Sequence, residues 1–286
     1  MTVSLIERLR ALFPRSSGRS RKEWLKSGRV LVNDRVARDP RARVEDHDTV
    51  TLSGSRGAGG RATFPSALGL VHEDADILVI DKPPGLLTIA TERERERTAH
   101  RFLREYLAAR RPPERPFIVH RLDRETSGLL VFAKTPSAKR HLQAQFEARS
   151  VERTYVALVE GKVRDDKGTL ESWLTEDRGL RVRSVRGRSS GTRAPHAAKQ
   201  AVTHYRVLER RVDTTLLELG LGTGRRGQIR VQLAELGHQI VGDLAHGSRL
   251  NPFRRLCLHA TRLGFVHPAT SAFKRFESPA PPFSRA

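Results

Sequence analysis

The pattern of apolar and polar positions predicts a short mixed segment at the start of the chain. An amphipathic helix is indicated by apolar residues at helical spacing: Val3, Ile6, Leu9 and Leu12. A second helix is predicted to begin with Ser20 as its N-cap and to end at Gly28. Three strands follow up to residue 52, the first two joined by a turn at Asn33 and Asp34.

A longer series of elements is predicted from residue 66 onward. Strands are expected at 77–80, 153–161, 198–210 and 214–221, and helices at 98–111, 137–150 (capped by Ser137) and 228–237. In the last helix Ile229, Leu233 and Leu236 form the apolar stripe, and tight turns are expected at 81–85 and 126–128. Strands and helices do not alternate regularly, so we predict an α+β fold with a mixed, largely antiparallel central sheet flanked by helices.

A segment rich in glycine and other small residues, SGSRGAGGRAT at 53–63, separates these two groups of predicted elements and has the composition of a flexible linker. We therefore predict an N-terminal domain at 1–53, a linker at 54–65 and a larger domain at 66–286.

Composition narrows the function. The 286 residues contain 53 Lys and Arg against 32 Asp and Glu, a net charge of +21, which favours a polyanionic partner, above all nucleic acid. The alternative is that the positive charge only keeps the protein in solution or reflects a general bias towards arginine. The single cysteine, Cys257, excludes a disulfide framework and a CxxC metal site within one chain, and we expect it to be a small buried residue. No apolar run is long enough for a membrane span or a signal peptide, so we expect a cytoplasmic location. We also expect the protein to be a monomer.

The candidate chemistry lies in HRLDRETSGLLVFAKT at 120–135, where Asp123 stands between Arg121 and Arg124. A metal site would need a second ligand at useful spacing, and a glycosidase would need a second carboxylate across the bond, whereas Glu125 points elsewhere in an extended chain. A serine triad lacks its G-x-S-x-G turn. A single carboxylate flanked by cations stays ionised and is suited to act as a nucleophile.

The segment HRLDRETSG at 120–128 resembles the signature of the RluA family of RNA pseudouridine synthases. Four further segments resemble that family in the same order: DADILVIDKPPGLLT at 74–88, RTYVALVEG at 153–161, TGRRGQIRVQLAELGHQIVGD at 223–243 and RLCLHATRLGFVHP at 255–268. The resemblance covers roughly residues 66–280. It implies isomerisation of a uridine already in RNA, with the glycosidic bond moving from nitrogen 1 to carbon 5 and with no cofactor or metal.

The resemblance also implies roles for individual residues. Asp123 is expected to be the catalytic aspartate, Tyr155 to stack on the base and to assist proton removal, and Arg230 to form an ion pair with Asp123. Arg121 is expected to fill the space left by the flipped nucleotide. Residues expected to bind RNA around this site are Arg124, Arg225 and Arg226. The sequence departs from the family pattern at Arg226-Gly227, where Thr-His is usual, at Gln232 and at Arg153, which stands where lysine is usual.

Residues 3–52 resemble the alpha-L RNA-binding module. This resemblance implies that a basic helix faces RNA, with Arg19, Arg21, Lys22 and Lys26 as its contacts. Such a module favours large-subunit ribosomal RNA as the substrate, with tRNA as the second choice. The alternative is a non-catalytic RNA-binding or ribosome-assembly protein that keeps the fold.

Overall fold

The structure is a computed structural model, and it describes residues 2–14, 16–26, 30–33, 35–52, 63–92, 94–110, 112–177, 179, 182–185, 198–279 and 281–284. The chain divides into two compact units, Met1–Arg61 and Ala62–Ala286. Most of the predicted linker, Gly28, Asp34 and most of the arginine-rich stretch at 181–196 lie outside the described residues. None of the described helices is long and apolar enough to cross a bilayer.

The first unit packs two helices against short strands. Its elements are β1 Thr2–Ser4, α1 Leu5–Leu12, α2 Gly18–Lys26, β2 Val30–Val32, β3 Arg35–Val36, β4 Arg43–Glu45 and β5 Val50–Leu52. Strand β1 pairs with β4, and β2 lies between β3 and β5, all antiparallel. The buried apolar residues are Leu5, Leu9, Leu25, Val30, Val44 and Leu52.

Two details at the helix starts differ from the sequence prediction. Val3 belongs to strand β1, because Ser4 caps α1 with its side chain and Glu7 completes the capping box. Helix α2 begins at Gly18, and the Ser17 hydroxyl accepts the Ser20 amide at 3.1 Å, so the predicted Ser20 cap is wrong. Ser17 and Ser20 offer the same capping hydroxyl, and the sequence alone does not show which of them caps the helix.

The second unit is built on one large sheet. Its strands are β6 Gly69–Glu73, β7 Ile77–Lys82, β8 Phe117–Ile118, β9 Ser127–Ala133, β10 Glu152–Glu160, β11 Lys167–Glu176, β12 Val182–Val185, β13 Lys199–Arg210, β14 Thr214–Leu221, β15 Leu258–Val266 and β16 Phe273–Glu277. Its helices are α3 Ala99–Ala108, α4 Pro136–Glu147 and α5 Gln228–Glu235, and short 3₁₀ helices lie at Leu244–His246 and Pro282–Ser284.

The strand order explains how distant parts of the chain meet. It runs β12-β11-β13-β14-β10-β15-β9-β7-β6, with β16 added to β15 and β8 added to β9. Each described pair in this sheet is antiparallel except β9 and β15, which are parallel. The predicted mixed, largely antiparallel α+β architecture is confirmed. Cys257 is buried as expected.

Local signals in this unit were partly misread. Helix α4 is capped by Thr135, whose hydroxyl accepts the Ala138 amide, with Pro136 in the first turn, so the predicted Ser137 cap is wrong. Leu236 follows the end of α5 and is 40% exposed rather than part of the core. The predicted turn at 81–85 begins later, since β7 continues through Lys82.

The predicted turn at 126–128 is wrong, because Ser127 and Gly128 open the fully buried strand β9. Gly128 is required there for a different reason. It pairs with Ala260 of β15 at a φ of 110°, and a Cβ atom would lie 2.3 Å from the Ala260 carbonyl oxygen. The missing side chain therefore allows the only parallel strand contact described in this sheet.

Replacing Gly128 by alanine should be severely destabilising. The substitution combines an unfavourable positive φ with a backbone clash, and we expect it to lower the free energy of unfolding by at least about 3 kcal/mol. Urea denaturation followed by Trp173 fluorescence in a Trp24→Phe background measures this loss.

Gly237→Ala is the matched control, because Gly237 has a φ of 85° and no atom within 4 Å of the added Cβ. It should cost only about 1–2 kcal/mol. Equal losses for the two variants would show that the close approach of β9 to β15 carries no special constraint.

Candidate active site

A cavity of about 510 Å³ in the second unit gathers most of the residues predicted for the site. Asp123 and Arg121 reach it from the loop before β9, and Tyr155 reaches it from β10. The loop and first turn of α5 complete the wall with Arg225, Arg226 and Arg230.

The sheet order brings Asp123 and Tyr155 to the same cavity. Strand β15 separates β9 from β10, and its Ala260 faces Gly128 on one side and Tyr155 on the other. The loop that carries Asp123 turns back on itself just before β9, where the Thr126 amide donates to the Asp123 carbonyl at 3.2 Å. Strand pairing therefore sets where the carboxylate emerges.

A buried lysine fixes the backbone of this loop. Lys82 is fully buried at the end of β7, and its ammonium donates to the carbonyls of Pro83 at 2.9 Å, Leu86 at 2.8 Å and Arg124 at 3.1 Å. Burial lowers the pKa of Lys82 to about 8, against the opposing charges of Glu125 and Asp123. At neutral pH the ammonium keeps all three of its donors, and each has an acceptor.

A buried threonine holds the residue before Asp123. The Thr88 hydroxyl donates to the Leu122 carbonyl at 2.8 Å and accepts the Leu122 amide at 3.2 Å. With Lys82 bound to the Arg124 carbonyl, the backbone is fixed on both sides of Asp123. The segment from the end of β7 to Thr88 therefore supports the loop that carries Asp123, a role that sequence reasoning missed.

The ion pair expected between Asp123 and Arg230 is not formed. Arg230 instead makes a two-point contact with Asp243, with Nε to Oδ2 at 2.7 Å and Nη2 to Oδ1 at 2.6 Å. Among the described residues, no basic nitrogen lies within 4.0 Å of the Asp123 carboxylate, including those of Arg121 and Arg124. The carboxylate lines the cavity without a direct cationic partner.

Asp123 and Arg230 still interact through space. Burial acts to lower the pKa of Arg230, but the hydrogen bonds and charge of Asp243, followed by the charge of Asp123, raise it. Arg230 lies in the first turn of α5 as predicted, and it contributes positive potential to the cavity that Asp123 shares.

Asp243 is the second site residue that sequence reasoning missed. Its side chain is buried, and its Oδ1, which accepts from Arg230 Nη2, also lies 3.0 Å from His246 Nδ1. Burial acts to raise the pKa of Asp243, but the Arg230 and His246 contacts lower it to about 2. The available signal was an aspartate two residues after the apolar pair Ile240-Val241, because a buried carboxylate requires a partner.

Tyr155 is 8% exposed, and its phenol remains protonated at neutral pH. Burial raises the pKa of Tyr155 to about 12; the Arg153 charge opposes this shift and the Asp123 charge adds to it. A protonated phenol can stack on a base and donate a hydrogen bond, but it is a poor proton acceptor. A neutral, buried phenol is compatible with the stacking role expected for Tyr155 and is less suited to proton removal.

A glutamine holds the arginine-bearing loop ahead of α5. The Gln228 side chain accepts from the Thr223 hydroxyl and the Arg225 amide, and it donates to the Val202 carbonyl and the Thr203 hydroxyl. Gln232, one of the departures from the family pattern, is buried too and has partners for both its oxygen and its nitrogen. It packs α5 against the sheet.

The other predicted RNA contacts are placed less uniformly. Arg124 does not line the cavity; its Nε donates to the Gly85 carbonyl at 3.1 Å. Arg226 lines the cavity but pairs with Glu176 at 2.6 Å. In the first unit, Arg21 donates to Ser16. The exposed basic residues of α2 are Arg19, Lys22 and Lys26, which fall on one helix face.

Comparisons with known proteins identify relatives of this chain. A family model described as RNA pseudouridylate synthase matches residues 76–235. The ribosomal large subunit pseudouridine synthase D of Pseudomonas aeruginosa is 36% identical over 285 residues, covering 94% of this chain and 86% of that protein. The RNA pseudouridine synthase YlyB of Bacillus subtilis, named as uncharacterized, is 36% identical over 265 residues, covering 91% of this chain and 84% of its own.

Solved structures show the same fold. Human RNA pseudouridylate synthase domain containing 4 superposes with a TM-score of 0.62 at 24% identity, over 75% of this chain and 89% of its own. Human RNA pseudouridylate synthase domain containing 1 gives a TM-score of 0.59 at 25% identity, over 79% of this chain and 86% of its own.

The Lys82 support predicts a local effect that differs from general destabilisation. Lys82→Met leaves three buried carbonyls without their donor, and we expect a loss of about 3 kcal/mol or more in unfolding free energy. Hydrogen exchange should also accelerate in the peptide containing Thr126, because the loop loses its anchor at Arg124.

Lys134→Met is the matched control. Lys134 is similarly buried, lies just beyond the opposite end of β9, and binds Glu73, Glu114 and the Asp74 carbonyl. This variant should lose stability while keeping the wild-type local exchange of the Thr126 peptide. Unchanged exchange of that peptide in Lys82→Met would contradict the supporting role.

Proposed function

Because the chain belongs to the RNA pseudouridylate synthase family and is an RNA pseudouridine synthase, we propose that it isomerises uridine in large-subunit ribosomal RNA with Asp123 as its catalytic carboxylate. The observation that carries the catalytic assignment is a carboxylate without a direct cationic partner, held by a fixed backbone in a cavity of about 510 Å³. The large-subunit target rests on the name of the Pseudomonas aeruginosa relative and on the basic α2 helix.

The reaction breaks the bond between nitrogen 1 of uracil and the ribose and forms a bond from carbon 5. The proton on carbon 5 is lost and nitrogen 1 gains one, so the atoms balance without an oxidant or reductant. An ionised aspartate can serve as nucleophile at the sugar or at the base, or can stabilise charge and abstract the proton. The unpaired geometry of Asp123 is compatible with each of these roles.

The surrounding residues supply binding and electrostatics. Tyr155 provides an apolar surface with a neutral hydroxyl, on which a uracil ring can stack. Arg230, fixed by Asp243, keeps positive potential at the cavity without neutralising Asp123 through a direct ion pair. Arg121 is exposed at the cavity and suited to occupy the space from which the nucleotide has flipped.

The catalytic proposal predicts that Asp123→Asn abolishes isomerisation and leaves RNA binding intact. We expect tritium release from large-subunit rRNA labelled at carbon 5 of uridine to fall by at least about 1000-fold, since the reacting carboxylate is lost. Glu125→Gln, which removes an exposed charge two residues away, should keep near wild-type activity.

The target is identified in cells that lack the gene. Wild-type protein should restore one or more pseudouridines in large-subunit rRNA, and the Asp123→Asn protein should restore none. Restoration only in tRNA would reassign the substrate. An Asp123→Asn protein that isomerises at the normal rate would refute the catalytic assignment, and RNA binding by the wild type without any pseudouridine formation would favour a non-catalytic RNA-binding role.

We also propose that residues 1–53 form an RNA-binding domain. Substituting Arg19, Lys22 and Lys26 by glutamine removes the charges on the exposed face of α2 and should weaken rRNA binding. A plot of log affinity against log salt concentration has a negative slope, and this slope should become less steep by about 2–3, or about 1 for each lost phosphate contact. Filter binding at several salt concentrations measures both quantities.

The control removes the same charge elsewhere. Arg95, Arg97 and Arg104 are exposed and belong to the second unit. Their replacement by glutamine should leave the salt slope close to wild type. The same slope change in both triple variants would mean that net charge, rather than the α2 face, governs binding.

A further inference from the structure

Arg153 carries a charge for which the described protein provides no counter-ion. Its side chain is half-buried, and its Nε is buried without a hydrogen-bond acceptor among the described residues. Among the described residues, its guanidinium makes one hydrogen bond, from Nη2 to the Leu221 carbonyl at 3.4 Å, which is long. Burial lowers the pKa of Arg153, the Tyr155 hydroxyl opposes that shift, and the charge of Arg149 adds to it.

The guanidinium is nevertheless held in a defined place at the cavity. It lies over the Phe146 ring, with Cζ 5.6 Å from the ring centroid, and Phe146 stacks on His120 with 4.5 Å between centroids. His120 adds no charge to this stack: burial, then the charge of Arg153, lowers the pKa of His120 to about 3, and its Nε2 accepts the Val131 amide. All three residues line the cavity.

Gly224, which also lines the cavity, leaves room for the guanidinium. A Cβ atom on Gly224 would lie 2.3 Å from Arg153 Nη1, so a side chain at position 224 would displace it. Glu147 also lines the cavity but makes no ion pair with Arg153 among the described contacts. The residue is therefore accommodated at the cavity without being neutralised there.

A partly buried cation without a counter-ion is unfavourable, because it has lost water and gained no opposite charge. A ligand that restores the balance must be anionic. The carbonyl oxygens of uracil are uncharged, whereas a phosphodiester carries a full negative charge and matches the two-point geometry of a guanidinium. The anion in RNA that adjoins a uridine is its 3′ or 5′ phosphate.

We propose that Arg153 binds a phosphate group directly attached to the uridine that enters the cavity, and so positions that nucleotide for Asp123. This subsite rests on the proposed function for its natural ligand, but its chemistry is testable without catalysis. Arg153 is assigned here as a binding residue, distinct from the expected catalytic set of Asp123, Tyr155 and Arg230.

The probes are uridine 3′,5′-bisphosphate and uridine, titrated into the full-length protein by calorimetry. Wild type should bind the bisphosphate at least about 10-fold more tightly than uridine, as expected for a charge-assisted phosphate contact. Arg153→Met should lose most of that difference, and Arg153→Lys should keep an intermediate part, because it retains the charge but not the planar fork.

Two controls separate binding from structure. Arg115→Met removes an exposed arginine that also lies over a phenylalanine ring, outside the cavity, and should keep the full difference. Arg153→Met should melt at or above the wild-type temperature, because it removes an unpaired charge while keeping the apolar stem. A purely structural arginine would instead show a lower melting temperature and an unchanged preference for the bisphosphate.

The subsite and the enzyme assignment fail independently. Equal affinity of wild type for the two probes, or a preference that survives in Arg153→Met, overturns the phosphate subsite. A preserved preference in a protein that forms no pseudouridine in any RNA would overturn the proposed function and leave the subsite standing.

Discussion

The buried ammonium of Lys82 is the constraint on which the site depends. It binds three backbone carbonyls, and one of them belongs to Arg124, directly after Asp123. Burying a charged lysine is unfavourable unless each donor finds an acceptor, so the surrounding loops have little freedom to rearrange. Thr88 adds the second fixed point at Leu122. The position of Asp123 is thereby determined by the backbone on both sides rather than by contacts of its own carboxylate.

That arrangement explains why the carboxylate can remain without a cationic partner. A direct ion pair with Arg230 would hold Asp123 in place, but it would also occupy the carboxylate oxygens that the proposed reaction uses. The guanidinium of Arg230 pairs with Asp243 instead, and the two carboxylate oxygens of Asp123 remain exposed to the cavity. Arg230 acts on Asp123 through the electrostatic potential, which needs no contact. Separation of the positioning and reactive roles is a form of preorganisation.

The sequence predicted those features that depend on local pattern. Strands β7, β10, β13 and β14 and helix α5 follow from runs of apolar residues, and Asp123, Tyr155 and Arg230 follow from motifs whose order resembles a known family. Features that depend on tertiary geometry were missed. Lysine is rarely buried, so Lys82 was placed in a turn, and the Arg230–Asp243 pair joins residues whose proximity arises only from the chain reversal after α5. Gly128 was misread because a glycine that permits close strand contact has the same sequence signature as a glycine in a turn.

The cavity has neutral and positively charged surfaces that suit different parts of a nucleotide. The neutral surface of Tyr155 suits an uncharged base, since desolvating uracil there requires no counter-charge. Four arginines of the cavity form no ion pair with a carboxylate among the described residues, and their charges suit the phosphates on either side of that base: Arg121, Arg149, Arg153 and Arg225. Asp123 is then the only carboxylate placed at the cavity by the anchored 120–126 loop, and its repulsion of phosphate keeps the backbone away from the position that the base and ribose must occupy. In the proposed reaction, a nucleotide that contacts the neutral and cationic surfaces together would present its glycosidic bond to Asp123, so the same set of charges would provide both recognition and orientation.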